Sequence, residues 1–327
     1  MIRVARAGLL TTVQDTGRTG VQRHGLIGAG PMDAAAHRIA NLLVGNDAGA
    51  AALEATMIGP ALELAADVLL AIAGADLGAS LDDRTLPTWA PVLARRGSVL
   101  AFGSARAGCR AYVAIAGGID VPAVLGSRST DLMAHIGGLE GRALRAGDAL
   151  PLGTPGAAAA RIRARLEVSP RGARAAGRSL LPPYAREPVV RILRGPEHGR
   201  FTTDSQRLLT DAVFEVSAQS NRMGIRLTGP ELRLEGSYDL VSSPVGTGTI
   251  QVPPSGEPIV LMADHQTVGG YPRIGSVITV DVPLLAQAAP GTRLRFRDVG
   301  MAEAQSLYLE RERNLRMFAE SLRLHYS

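Results

Sequence analysis

Glycine and proline cut the apolar runs of this chain into short pieces, and that punctuation restricts its fold more than any other feature. The 38 glycines and 20 prolines fall between runs such as 68–72, 111–115, 259–262 and 277–280. Turn signals recurring roughly every ten residues are the pattern of β-sandwiches and barrels. The run 292–297 alternates strictly, so Leu294 and Phe296 can face a core while Arg293, Arg295 and Arg297 face water. The expected fold is mainly β with a few helices.

Two helices stand out. One is expected near 31–44. Pro31 suits a first helical turn, Asp33 favours the positive end of the dipole, and Gly45 can end the helix. Met32, Ala36, Ile39, Ala40 and Leu43 form its apolar stripe. The other is expected over about 302–323, with Ala304, Leu307, Tyr308, Leu315, Phe318 and Leu322 near one face. A chain of 327 residues is long for one core and suits two domains. The expected division is an N-terminal subdomain over 1–154, an Ala/Arg/Pro-rich linker over 155–188, a second subdomain over 189–300 and an amphipathic helix over 301–327. Ile162 and Leu166 can seed a short element inside the linker, whose arginines include Arg161, Arg165, Arg171, Arg174 and Arg178. A weak internal echo links the halves. The run 59–64 resembles 229–234, and 97–102 resembles 291–296, in the same order.

All 35 Lys+Arg positions are arginine. Without lysine the chain alone can supply no P-loop lysine, no kinase strand lysine and no Schiff-base amine. The net charge of +5 and sequence pI near 9.9 invite a nucleic-acid reading. The arginines are scattered and aromatics are only 4%, so we expect no nucleic-acid partner. Cys109 is the single cysteine, which excludes an internal disulfide and reads as a small core residue. No histidine or cysteine spacing matches a metal site. No run has the layout of a signal peptide or the length of a membrane span, so a cytoplasmic protein is expected.

The remaining candidates are polar residues in glycine-rich loops. Asp15 and Arg18 lie in the run 14–20, where an ion pair that fixes the loop and a binding role both stand open. Ser127 and Arg128 lie in 126–131, which reads either as a cradle for a carboxylate or phosphate or as a solvent-facing turn. Asn221 and Arg222 lie in 220–227. Asn221 offers both a donor and an acceptor, and Arg222 is read either as an anion clamp or as half of a structural ion pair. Gln251 lies in 248–253, and the run 263–272 carries Asp264, His265 and Gln266 into Gly269, Gly270 and Tyr271, where backbone amides can approach a ligand closely.

Taken in order, the runs 15–18, 30–33, 40–41, 53–54, 117–120, 126–130, 220–224, 248–253 and 264–272 resemble the biotin-dependent carboxyltransferase family that includes the C-type component of 5-oxoprolinase, KipA and allophanate hydrolase subunit 2. The resemblance covers about Val4 to Ala304 and departs at Val268, where a threonine is expected. It implies two tandem cyclophilin-like β-barrel subdomains. It implies an active site shared with a homologous smaller polypeptide, of the KipI or B-type 5-oxoprolinase kind, and a third component of the A type. It points to Asn221 as the catalytic, substrate-orienting residue. Arg222, Gln251, Asp264, His265, Gln266, Gly269, Gly270, Tyr271, Arg128 and Ser127 are then substrate-binding candidates, and Asp15, Arg18 and Asp33 are structural loop residues. The implied activity is ATP-dependent opening of 5-oxo-L-proline to L-glutamate, with ATP used by the complex at no site locatable in this chain and no metal. The alternatives are a biotin-dependent urea or amide carboxyltransferase, and a KipA-like antagonist of a kinase-inhibitor protein.

Overall fold

The computed structural model describes residues 1–169, 172–236 and 240–327. It divides into two compact units. The first takes Met1–Thr19, Ala29–Leu181 and Glu312–Ser327, and the second takes Gly20–Gly28 and Pro182–Arg311.

The first unit is built on two sheets. In spatial order one holds β11 (Ala149–Leu150), β1 (Ile2–Arg6), β4 (Ala61–Leu64), β9 (Val99–Ala101), β6 (Ser80–Leu81) and β7 (Arg84–Thr85). The other holds β2 (Leu10–Gln14), β3 (Ala52–Thr56), β10 (Ala107–Ile115), β5 (Val68–Asp76) and β8 (Pro91–Ala94). Residues of both sheets, among them Ile2, Val4, Leu62, Leu100, Leu53, Leu70 and Val113, meet in one apolar cluster. Such sheets bury one face each against the other. The unit therefore encloses its core between two sheets.

The second unit does close. Its ring runs β12 (Val189–Arg194), β19 (Arg273–Val277), β16 (Thr249–Gln251), β17 (Ile259–Leu261), β14 (Gly224–Thr228), β13 (Phe214–Val216) and β20 (Arg293–Asp298). Closure comes from the parallel pairing of β12 with β20, Val190 opposite Phe296. The strict alternation of 293–297 is realised: Leu294 and Phe296 are buried and the three arginines exposed. Phe296 packs on Phe214 with ring centroids 5.7 Å apart. A short ribbon pairs β15 (Ser243–Pro244) with β18 (Val268–Gly269).

Helix α1 (Ala34–Leu43) starts at Asp33, whose carboxylate accepts from the Ala36 amide at 2.9 Å. Gly45 follows in the left-handed region at φ 74°, and a Cβ there would run into the backbone of Ala159. Ala159 belongs to α2 (Ala157–Val168), which occupies the start of the stretch read as a linker. Ala159, Ile162 and Leu166 recur at helical spacing and are buried, while Arg161 and Arg165 stay exposed. Residues 173–188 form no helix or strand, and Arg171 lies outside the described residues. The second unit adds α3 (Thr203–Asp211) and α4 (Val282–Ala286). Helix α5 (Met301–His325) is assigned to the second unit up to Arg311 and to the first from Glu312. Leu315 and Leu322 are buried as expected, but Tyr308 is 43% exposed, with the Arg311 guanidinium 5.8 Å from its ring centre. Of the internal echo, 97–102 and 291–296 supply β9 and most of β20. The run 59–64 carries β4, whereas 229–234 gives only an isolated bridge, Leu234 to Phe201.

Candidate functional site

In the second unit Asn221 lies in the turn that leads into β14. Its Oδ1 accepts from the amides of Met223 at 2.8 Å and Gly224 at 3.3 Å, which tightens the turn. The residue is exposed, and among the described residues nothing bonds its Nδ2. Arg222 turns the other way. Its Nε and Nη2 donate to Asp264 Oδ2 and Oδ1, each at 2.8 Å, and both side chains are 5% exposed. The backbones follow the same register, with the Asp264 amide on the Arg222 carbonyl and the Met262 amide on the Met223 carbonyl. Arg222 and Asp264 were expected to bind substrate. The structure engages them with each other, the geometry of the ion-pair reading of Arg222, and two buried charges in a low dielectric are held by such a bidentate contact.

This pair delivers the chain into the 265–271 loop. His265 donates from Nδ1 to the Gln266 carbonyl at 2.6 Å. Gln266 Nε2 donates to Gln251 Oε1 at 3.2 Å, and Gln251 Nε2 donates to the Tyr271 carbonyl at 3.4 Å. Gln251 is only 2% exposed, which places it behind the loop and away from solvent. A Cβ on Gly269 would collide with the Gln251 carboxamide, so the loop lies this close only with glycine there. Gly270 is exposed, and Tyr271 is 47% exposed. Three polar groups thus face outward with no bond inside the described chain: Asn221 Nδ2, His265 Nε2 and the Tyr271 hydroxyl. Three clefts, of about 290, 520 and 330 Å³, are lined by other residues. Asn221 and Tyr271 give these loops an exposed polar face.

The first unit brings the runs 15–18 and 127–130 together. The Asp15 carboxylate accepts from Ser127 Oγ, Ser129 Oγ at 2.7 Å, the Arg128 amide and the Gly17 amide at 2.9 Å. Burial pushes this carboxyl up, but the hydrogen bonds outweigh it and hold it below its ordinary value. Arg18, 2% exposed, donates to the carbonyls of Val124 at 3.2 Å and Ser129 at 2.7 Å. Arg128 donates to the Val121 carbonyl at 2.8 Å and to Asp120 at 3.1 Å. Asp15, Arg18, Ser127 and Arg128 thus clasp two loops to each other, with the Ser127 hydroxyl and the Arg128 amide on the Asp15 carboxylate.

A second buried polar group was missed. Glu54, 1% exposed, accepts from the Met32 amide at 2.9 Å and the Tyr112 hydroxyl at 2.7 Å. Tyr112 in turn accepts from the Asp33 amide at 2.7 Å. Burial, then the nearby Glu54, raise the phenol well above its usual range. His37 donates from Nε2 to the Gln14 carbonyl at 3.1 Å, and burial lowers its imidazolium below the usual histidine value. A lone glutamate in the apolar strand 52–56 was the available signal, since such a charge is buried only with partners. Cys109 is a free, buried thiol pushed up by burial. Among the described residues no cluster of three His, Cys, Asp or Glu could hold a metal, and no helix is long and apolar enough to cross a membrane.

Two β units, a closed ring in one of them and a motif-bearing polar surface on that ring define a protein of the carboxyltransferase type. Residues 24–298 match the family described as carboxyltransferase domain, subdomain A and B, and the chain belongs to that family. It is 41% identical over 325 residues to the C-type component of 5-oxoprolinase from Escherichia coli strain K12, covering 99% of both chains. It is 35% identical to the corresponding C-type component from Haemophilus influenzae over 95% of this chain and 96% of that one. The crystal structure of Kluyveromyces lactis urea carboxylase superposes with a TM-score of 0.89 at 30% identity, over 97% of this chain but only 29% of the urea carboxylase.

Proposed function

We propose that this chain is the C-type component of a cytoplasmic 5-oxoprolinase complex that opens 5-oxo-L-proline to L-glutamate with consumption of ATP. The observation that carries this reading is the 41% identity to the Escherichia coli protein over 99% of both chains. The exposed polar face of Asn221 and Tyr271 supports it, because such a face suits a site completed by another polypeptide. That polypeptide is a homologous smaller component of the B type, with a third component of the A type.

A lactam is resonance-stabilised. Hydrolysis breaks its ring C–N bond, the carbon gains hydroxyl from water and the nitrogen gains the proton. Phosphorylating the carbonyl oxygen makes that attack feasible: ATP gives up its terminal phosphoryl group and leaves as ADP, and a second water releases inorganic phosphate from the acyl phosphate that ring opening produces. This chain has no lysine to hold a phosphate, Arg222 is paired with Asp264 in the interior, and Arg128 is paired with Asp120. ATP therefore belongs to the complex, and no phosphoryl step is assigned here. Asn221 Nδ2 is placed to donate to the lactam carbonyl oxygen.

The test is ATP-dependent glutamate release by this chain alone, by its two partners alone and by all three together. Turnover is expected only from the assembly, and full activity from the isolated chain would overturn the shared site. The second reading is carboxyl transfer from biotin to urea or a related amide, favoured by the match to urea carboxylase. It needs a biotinylated lysine on another protein, since this chain has none. Co-purification of a biotinylated partner, with no glutamate release, would select it.

A further inference from the structure

Gln251 sits behind the loop it was expected to share with substrate. Both ends of its carboxamide are occupied by that loop, Oε1 by Gln266 and Nε2 by the Tyr271 carbonyl. The neighbouring strand ends add a backbone tie, the Val252 amide on the Pro272 carbonyl at 3.0 Å. Within the loop so held, His265 Nδ1 lies 2.6 Å from the Gln266 carbonyl oxygen. A carbonyl only accepts, so Nδ1 carries a proton, and in the neutral ring the lone pair is then at Nε2.

We propose that Gln251 is a positioning residue. By clamping 266–271 it keeps the Gln266 carbonyl on His265 Nδ1, which fixes the tautomer and offers Nε2 outward as a hydrogen-bond acceptor. The adjoining turn offers Asn221 Nδ2 as a donor, in the register set by the Asp264 amide on the Arg222 carbonyl. One donor and one acceptor match a ring amide, whose C=O and N–H are held on the same side of the C–N bond. The choice of a lactam as ligand rests on the proposed function; the tautomer and its control by Gln251 do not.

The test is two-bond ¹H–¹⁵N correlation on the full chain carrying ¹⁵N-histidine, at mildly alkaline pH. The His265 signals are identified by their loss in His265→Gln. The expected pattern is a protonated Nδ1 and an unprotonated Nε2; the opposite tautomer, or an average of the two, overturns the inference. In Gln251→Leu the pattern is expected to move to the opposite tautomer or to an average, and an unchanged pattern overturns the role of Gln251. If Gln251→Leu does not fold, Gln266→Ala cuts the same clamp from the partly exposed side and is read in the same way. In the assembled complex the folded variant is expected to lose roughly tenfold in kcat/KM, and an unchanged kcat/KM overturns positioning. Absence of 5-oxoproline turnover even from the wild-type assembly, with His265 on the expected tautomer, would count against the proposed function and leave this inference standing.

Discussion

Asn221 puts the two ends of one carboxamide to separable uses. Its oxygen holds the turn through Met223 and Gly224, while its nitrogen faces outward. Asn221→Asp keeps the acceptor and removes the donor. The variant is expected to retain the thermal midpoint of the wild type and to lose about tenfold or more in kcat/KM for glutamate release, as loss of a hydrogen bond to a developing charge predicts. Unchanged kcat/KM would remove Asn221 from the site. Arg222 and Asp264 behave in the opposite way. Arg222→Ala removes the bidentate partner of a buried carboxylate and is expected to destabilise the chain by about 3–5 kcal/mol in urea unfolding. The double replacement Arg222→Met with Asp264→Leu is expected to recover most of that loss; if it is as unstable as the single variant, the pair is more than a mutual neutralisation. At this scale the sequence showed which loops matter but not which way their side chains point. Arg222 and Asp264 stand 42 positions apart, and only the pairing of β14 with β17 brings them together.

Elements were legible where periodicity was strong. Asp33, the stripe from Met32 to Leu43 and Gly45 fixed α1 almost to its ends, and strict alternation fixed β20. Helix α2 was obscured because its apolar positions, Ala159, Ile162 and Leu166, are sparse among alanines and arginines, and only their burial against the first unit shows them as a face. Strand spacing by itself did not separate an open sheet from a closed ring, since short strands of the same spacing serve both, and the barrel expectation came from the resemblance. The contact between β16 and the 266–271 loop belongs to this scale. Gly269→Ala drives a Cβ into the Gln251 carboxamide, and Gln251→Ala removes the obstacle. The two substitutions are expected to be non-additive, with Gly269→Ala costing less in the Gln251→Ala background by about 0.5–3 kcal/mol. A double-variant cycle in urea measures this directly, and strict additivity would mean that the loop yields elsewhere.

At the scale of the whole molecule, one probe can follow the pH response of the first unit. The chain has a single tryptophan, Trp89, buried in the first unit, so its fluorescence reports the unfolding of that unit. His37 lies in the same unit, fully buried, with its imidazolium held below the ordinary value by loss of hydration. An unfolded histidine titrates near 6.5. Because the folded value lies lower, the unfolded chain binds the extra proton first. The stabilising contribution of neutral His37 is therefore whole above about pH 6.5 and is lost as pH falls toward and through the folded value. Asp15 acts with the same sign in a more acidic window. Its folded value is lowered by the Ser127, Arg128, Ser129 and Gly17 bonds, so its contribution is present above the unfolded carboxyl value of about 3.9 and is lost below it. The midpoint of the Trp89 transition in urea is thus expected to fall steadily on acidification from about pH 7 to pH 5. In His37→Gln, which has no imidazole to protonate, the slope over that window is expected to be shallower even if the variant is less stable throughout. An equal slope in both proteins would place the acid sensitivity of the first unit outside His37.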